Sequence, residues 1–125
     1  MARRKSPNLT EAELRLMNVL WKKKSATVAE VAQALPGDPP LAYNTVLTTM
    51  RILETKGYVR HAKEGRAFVY QPVVGRDQAS TKAIRHLVSR FFAGSTGQLV
   101  MKLIEDDELD ARELERIKKR INQSE

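Results

Sequence analysis

The chain has 125 residues, 30% of them charged and 42% hydrophobic, with a formal net charge of +7; this suits one compact domain or two very small ones and excludes a disordered polyelectrolyte. It has no cysteine, which excludes disulfide frameworks and thiolate metal or redox sites and fits a cytoplasmic setting. No apolar run approaches the roughly 18–20 residues that span a bilayer, so no membrane insertion is expected, and the basic opening MARRKSPN lacks the apolar stretch of a secretion signal.

The charge is unevenly placed. Residues 1–72 hold 12 Lys/Arg against 6 Asp/Glu, whereas residues 73–125 hold 10 against 9. This asymmetry suggests a half that faces a polyanion, joined to a nearly neutral half with another task.

The first predicted helix opens at residues 9–14, LTEAEL. Thr10 and Glu13 have the T-x-x-E spacing of a capping box, with Leu9 and Leu14 placed as its hydrophobic staple. Leu14, Met17, Leu20 and Trp21 follow as an apolar stripe, carrying the helix to about Lys22. Lys22, Lys23 and Lys24 then read as a solvated helix end favoured by the macrodipole. Thr27 and Glu30 repeat the capping box and open a short second helix, in which Val28, Val31, Ala32 and Leu35 are apolar. Residues 36–40, PGDPP, predict a turn because prolines and glycine cannot continue the helix.

A third helix is predicted from Leu41 or Ala42 to Lys56, closed by Gly57 as the residue after the cap. Its first part, AYNTVLTTM, places Asn44, Thr45, Thr48 and Thr49 in helical positions, although their side chains compete for backbone hydrogen bonds. On a helical wheel Val46, Met50 and Leu53 share the core face. Asn44, Thr48, Arg51 and Thr55 lie opposite, with Thr45 at one edge and Thr49 half-buried. After Gly57 the period changes to two. Residues 58–62 and 66–70 are β-prone runs around Lys63-Glu64-Gly65, a hairpin with a basic tip, and Pro72 ends the second strand.

From Asp77 the pattern is helical again. Ala83 or Ile84, Leu87, Val88, Phe91 and Phe92 form the stripe of a fourth helix, which Gly94-Ser95-Thr96 breaks. Leu99, Val100, Leu103 and Ile104 form a fifth, followed by an acidic turn at residues 105–108. Asp110 and Glu113 cap a sixth, with Leu109 and Leu114 as staple and Leu114, Ile117 and Ile121 along one face.

Helix, helix, turn, outward-polar helix and basic hairpin is the layout of a winged helix-turn-helix. The expected fold is therefore mostly α with a small β-wing: a winged-helix DNA-binding domain over residues 1–73 and a helical dimerisation region over residues 74–125. The third helix would enter the major groove of double-stranded DNA. There Asn44, Thr45 and Thr48 are the expected base readers, since short side chains allow close approach. Arg51, Lys63 and Arg66, with Tyr43 beside them, are expected on the backbone or in the wing contacts. The second half is too small to bury Leu87, Phe91, Phe92, Leu99, Leu103, Leu114, Ile117 and Ile121 alone, and a homodimer would cover them.

Other classes fare less well. An enzyme would have to use His61 or His86, neither of which has serine or carboxylate spacing around it, so no catalytic residue, cofactor or metal is expected. A ligand-responsive winged-helix regulator with a pocket in its C-terminal helices is the main alternative. A winged helix that binds protein or RNA is a third, although the deep, narrow major groove of RNA would not admit the third helix.

These pieces together resemble the penicillinase repressor family (the BlaI/MecI type), small dimeric winged-helix repressors of bacteria. The resemblance is carried by LTEAELRLMNVLW, NTVLTTMRILETKGYV, GRAFVYQPVV and GQLVMKLIEDDELDARELERIKKRI, in that order along almost the whole chain. It implies a homodimer that binds inverted-repeat operators and blocks transcription, often of antibiotic-resistance genes. It also implies, for β-lactam-responsive members, release when a sensor-linked protease cuts the fifth helix. Cleaved members carry Asn-Phe where this chain has Lys102-Leu103. Two further departures are Ile52, where the family often has arginine, and the absence of the C-terminal cysteines of copper-responsive relatives.

Overall fold

Two capping boxes start the fold. In each, a threonine hydroxyl accepts from the backbone N–H three residues on, while that residue's glutamate accepts from the threonine N–H: Thr10 with Glu13 and Thr27 with Glu30. In the computed structural model, which describes residues 8–37 and 41–123, the elements run α1 (Glu11–Lys23), β1 (Ala26–Thr27), α2 (Val28–Ala34), α3 (Tyr43–Thr55), β2 (Val59–Glu64), β3 (Ala67–Pro72), α4 (Arg76–Phe91), α5 (Thr96–Glu105) and α6 (Ala111–Gln123). Part of the turn expected at residues 36–40 lies outside the described residues, as does most of the basic N-terminal run. The chain forms two compact units, residues 1–84 and 85–125, so the first takes in the beginning of α4 together with the winged-helix elements.

The core of the first unit gathers one face from each element. Leu16, Met17 and Leu20 of α1, Val31 of α2, and Val46, Met50 and Leu53 of α3 are wholly buried. Each such side chain contributes about 1.5–3 kcal/mol through removal from water. One sequence expectation changes here: Leu14 is 37% exposed while Leu16 is fully buried. The spacing alone makes Leu14 the start of the inward stripe, yet the face that meets α3 is centred one position further round, on Leu16, Met17 and Leu20.

Helix α3 ends in a Schellman turn. Tyr58 N–H donates to Leu53 O, Gly57 N–H donates to Glu54 O, and Gly57 takes φ +87°, a conformation that costs a residue with a Cβ. Tyr58 and Leu53, which the turn brings together, are both buried. At the other end Ala42 caps α3 without a side-chain hydrogen bond.

The sheet has three antiparallel strands in the order β1-β3-β2. The expected hairpin is present, but its turn is Gly65-Arg66 rather than residues 63–65: Lys63 pairs with Phe68 and Glu64 with Ala67. Gly65 supplies the positive φ of 62° that a tight two-residue hairpin needs at its first turn position. The two-residue strand β1, not anticipated from the sequence, pairs Ala26 with Tyr70 and Thr27 with Val69 and ties the hairpin base to the helices.

The beginning of α4 is pinned to α1 by polar and aromatic contacts. Trp21 Nε1 donates to Val74 O at 2.9 Å, and the Arg76 guanidinium lies 4.9 Å above the Trp21 ring while donating to Asn18 Oδ1. In the second unit Ser95 caps α5 through Gln98 N–H, and Asp110 caps α6 by accepting from Glu113 N–H at 2.8 Å.

Candidate nucleic-acid interface

The face of α3 opposite its buried stripe is an open polar strip. Asn44, Thr45, Thr48, Arg51 and Thr55 are all exposed, and Thr49 is half-buried. Three of the four threonine hydroxyls are engaged along the helix. Thr48 Oγ1 donates to Asn44 O, Thr49 Oγ1 to Thr45 O and Thr55 Oγ1 to Arg51 O, each at 2.9 Å. Such i to i−4 bonds accommodate a mid-helix threonine. They also set the chemistry of the strip: with their protons engaged along the helix, Thr48 and Thr55 present lone pairs and methyl groups outward, together with the amide of Asn44.

The hairpin flanks this strip on one side. The pairing register puts Val59, His61 and Lys63 of β2 on the same face as Pro72, Tyr70 and Phe68 of β3. Val59 and Tyr70 anchor that face in the core, while Phe68 is 48% exposed. Burial raises the Tyr70 phenol above its ordinary value, and the Glu54 carboxylate raises it further against the opposing charge of Arg51. The end of α3 and the hairpin therefore meet around Tyr70. Lys63 is exposed on β2 and Arg66 is exposed in the turn, so two cations project from the outer hairpin, with Arg51 on α3. Tyr43, 53% exposed at the first position of α3, is on the same side of the helix as the hairpin and contributes a small charge effect on Tyr70.

His61 and Glu54 belong to this surface and were not singled out for it by the sequence. His61 Nδ1 lies 2.7 Å from Glu54 Oε2 and 2.8 Å from Oε1. An ionised carboxylate only accepts, so Nδ1 carries the hydrogen. The imidazole is edge-on to Phe68 at 5.1 Å between ring centroids and tilted against Tyr70 at 5.4 Å. The available signal was the period-two pairing, legible only once the turn is placed at Gly65-Arg66.

The second unit leaves its apolar faces uncovered. Among its described residues only Val88 is buried. Leu87, Phe91, Ile117 and Ile121 are exposed, Phe91 by 67%, and Phe92, Leu99, Leu103 and Leu114 are half-buried. Lys102 is exposed on α5 and pairs with Asp106 at 3.1 Å. No helix among the described residues is long and apolar enough to cross a membrane.

A helix-turn-helix whose second helix presents a polar, small-residue strip beside a basic β-hairpin defines a winged-helix transcription regulator. The same fold is seen, at 16% identity and a TM-score of 0.50 over 93% of this chain and 75% of the other, in the oxidised form of MarR from E. coli. The chain belongs to the penicillinase repressor family, whose model matches residues 9–123. It is 32% identical over 111 residues, 89% of this chain and 87% of the other, to a penicillinase repressor of Bacillus licheniformis. It is 23% identical over 118 residues, 94% of this chain and 96% of the other, to the methicillin resistance regulatory protein MecI of Staphylococcus aureus strain N315. The DNA-binding domain of the repressor BlaI is similar in structure, with a TM-score of 0.51 and 36% identity over 61% of this chain and 93% of that one. The protein is thus a winged-helix transcriptional repressor of this family.

Proposed function

We propose that the protein acts as a cytoplasmic homodimer on inverted-repeat operator DNA, repressing genes of the β-lactam-resistance class that its relatives are named for. The observation that carries this reading is the exposed strip of Asn44, Thr48 and Arg51 on α3, bordered by Lys63 and Arg66 of the hairpin. Asn44, Thr45 and Thr48 read base edges in the major groove, where asparagine pairs bidentately with adenine and a threonine methyl packs on the methyl of thymine. Arg51, Lys63, Arg66 and Tyr43 hold the phosphate backbone and set the register. The uncovered apolar faces of α4, α5 and α6, with Leu87, Phe91, Phe92, Leu99, Leu103, Leu114, Ile117 and Ile121, support two-fold association, which would supply the second recognition helix for the second half-site. A sensor-linked protease acting at Lys102-Leu103 is the off-switch this reading offers. The departure from Asn-Phe there counts against cleavage at this position as the route to derepression.

One observation favours a second reading, a ligand-responsive regulator. A groove of about 500 Å³ runs between α1 and the beginning of α4, lined by Leu9, Leu14, Trp21, Tyr58, Ala79 and Ala83. It lies in the first unit rather than in the C-terminal helices. A thermal-shift screen in which one compound class raises Tm by several degrees would bring this reading forward.

The deciding experiment is fluorescence anisotropy with an inverted-repeat duplex carrying TACA and TGTA half-sites against a scrambled duplex, over a salt series. Specific binding should exceed non-specific binding by about 10³-fold or more, with a steep salt slope and two subunits per duplex. Absence of binding to either duplex at low salt would overturn the DNA reading.

A further inference from the structure

We infer that the Glu54–His61 pair is a positioning clamp that sets the angle of the wing against α3, so that base reading by the helix and backbone binding by the wing tip depend on each other through it. The inference rests on the reading above, that α3 and the hairpin meet the same duplex.

Three observations carry it. First, the hairpin is held at its base only: β1 pairs with β3 no further out than Val69, and the buried anchors of the shared face are Val59 and Tyr70. Beyond them Lys63, Glu64, Gly65, Arg66, Ala67 and Phe68 are all exposed. Second, His61 stands where the anchored base gives way to this free tip, and its ring bonds back to the last turns of α3 through both oxygens of Glu54. Its edge contact with Phe68 extends the brace outward by two residue pairs, to the next pair on that face, where Lys63 is directly across from Phe68. Third, Glu54 is a negative charge at the border of a surface on which Arg51, Lys63 and Arg66 are exposed cations and Glu64, at the hairpin tip, is an exposed carboxylate. A carboxylate there repels phosphate, at roughly 8 Å in water by about twofold in affinity. On electrostatic grounds alone it weakens binding; as the acceptor that fixes His61 it pre-organises the wing and lowers the ordering cost on binding.

The two effects have opposite signs, which makes the test direct. In the full-length protein, binding to the inverted-repeat duplex is measured for Glu54→Ala, Glu54→Gln and His61→Phe, each alone and combined with Lys63→Ala. His61→Phe keeps a ring against Phe68 and Tyr70 while deleting the bond, so it separates the clamp from packing. Both side chains are partly exposed, and thermal melts confirm that each variant is folded.

The expected result is that Glu54→Ala and His61→Phe bind about threefold more weakly or worse, despite the lost negative charge in the first. Glu54→Gln, which keeps an acceptor, should stay within about twofold of the parent. The Lys63→Ala penalty, about fivefold in the parent, should shrink to under about twofold in the Glu54→Ala and His61→Phe backgrounds, the non-additivity expected of coupled groups. If Glu54→Ala binds as tightly as the parent or tighter, with an undiminished Lys63→Ala penalty, the clamp is overturned while the DNA reading stands. If the parent itself binds neither duplex, the DNA reading fails and the clamp with it.

Discussion

Lys56, the C-cap of α3, reaches back to Glu13 in the first turn of α1, with Nζ 2.8 Å from Oε1 and both side chains buried. The same carboxylate oxygen accepts from the Thr10 N–H, so one acidic group closes the capping box of α1 and neutralises the lysine that ends α3. Lys56 Nζ also donates to Asn8 O. The end of the helix that bears the polar strip is thereby fixed to the start of the chain's first helix.

Removing one partner of such a pair leaves a buried charge uncompensated, which costs more than the pair contributes. Glu13→Gln should lower the unfolding free energy by about 3 kcal/mol in urea titrations. Glu30→Gln, the equivalent change in the exposed capping box of α2, should cost clearly less. Equal losses at both sites would show that the cap and not the ion pair matters.

Acid should act through the same residue. Burial pushes the Glu13 carboxyl up, but the hydrogen bonds from Lys56 and Thr10 and the charge of Lys56 outweigh it and hold the group below its ordinary value of 4.5. The unfolded chain therefore takes up the proton first as pH falls. The stability Glu13 contributes is complete at neutral pH and is lost progressively as the pH drops from about 4.5 through the lowered value. In Glu13→Gln that part of the acid dependence should be missing from a pH series of thermal melts.

The burial contrast between neighbouring leucines gives a packing test. Leu16→Ala should destabilise by about 2–5 kcal/mol, through lost transfer and a residual cavity. Leu14→Ala, at a 37% exposed site, should cost less than about 1 kcal/mol. A reversal would move the inward face of α1 away from Leu16 and towards Leu14.

Base reading and backbone holding separate in binding assays. Thr48→Ala removes a methyl and a lone pair from the strip and should reduce the preference for the inverted repeat over a scrambled duplex, with non-specific affinity little changed. Lys63→Ala should weaken all duplexes alike and lower the salt slope by about one. The opposite pattern would exchange the roles of helix and wing.

Association should depend on the uncovered apolar face. Phe91→Glu places a charge at a 67% exposed aromatic position where a dimer would bury it, and should convert a dimer to monomers on a sizing column. An unchanged dimer would move the interface away from α4.

What the residues by themselves determined was local. The capping boxes at Thr10 and Thr27, the glycine stop at Gly57, the polar strip of α3 and the amphipathic α6 follow from side chains that act within three or four positions of one another, so spacing alone reveals them. Even the half-burial of Thr49 was legible, because Val46, Met50 and Leu53 orient the helix unambiguously. Tertiary structure decided whatever depends on which surfaces meet. Leu16 displaced Leu14 from the core because α3 lies against one particular side of α1. Strand β1 exists because Ala26 and Thr27 find β3 some forty residues away. The hairpin turn moved to Gly65-Arg66 because the pairing register, with Val59 and Tyr70 driven inward, outweighs the turn preference of residues 63–65. His61 could be read only as an isolated histidine until that register brought it against Glu54. A period-two pattern states which residues share a face, but only the packed core selects the face that turns toward α3.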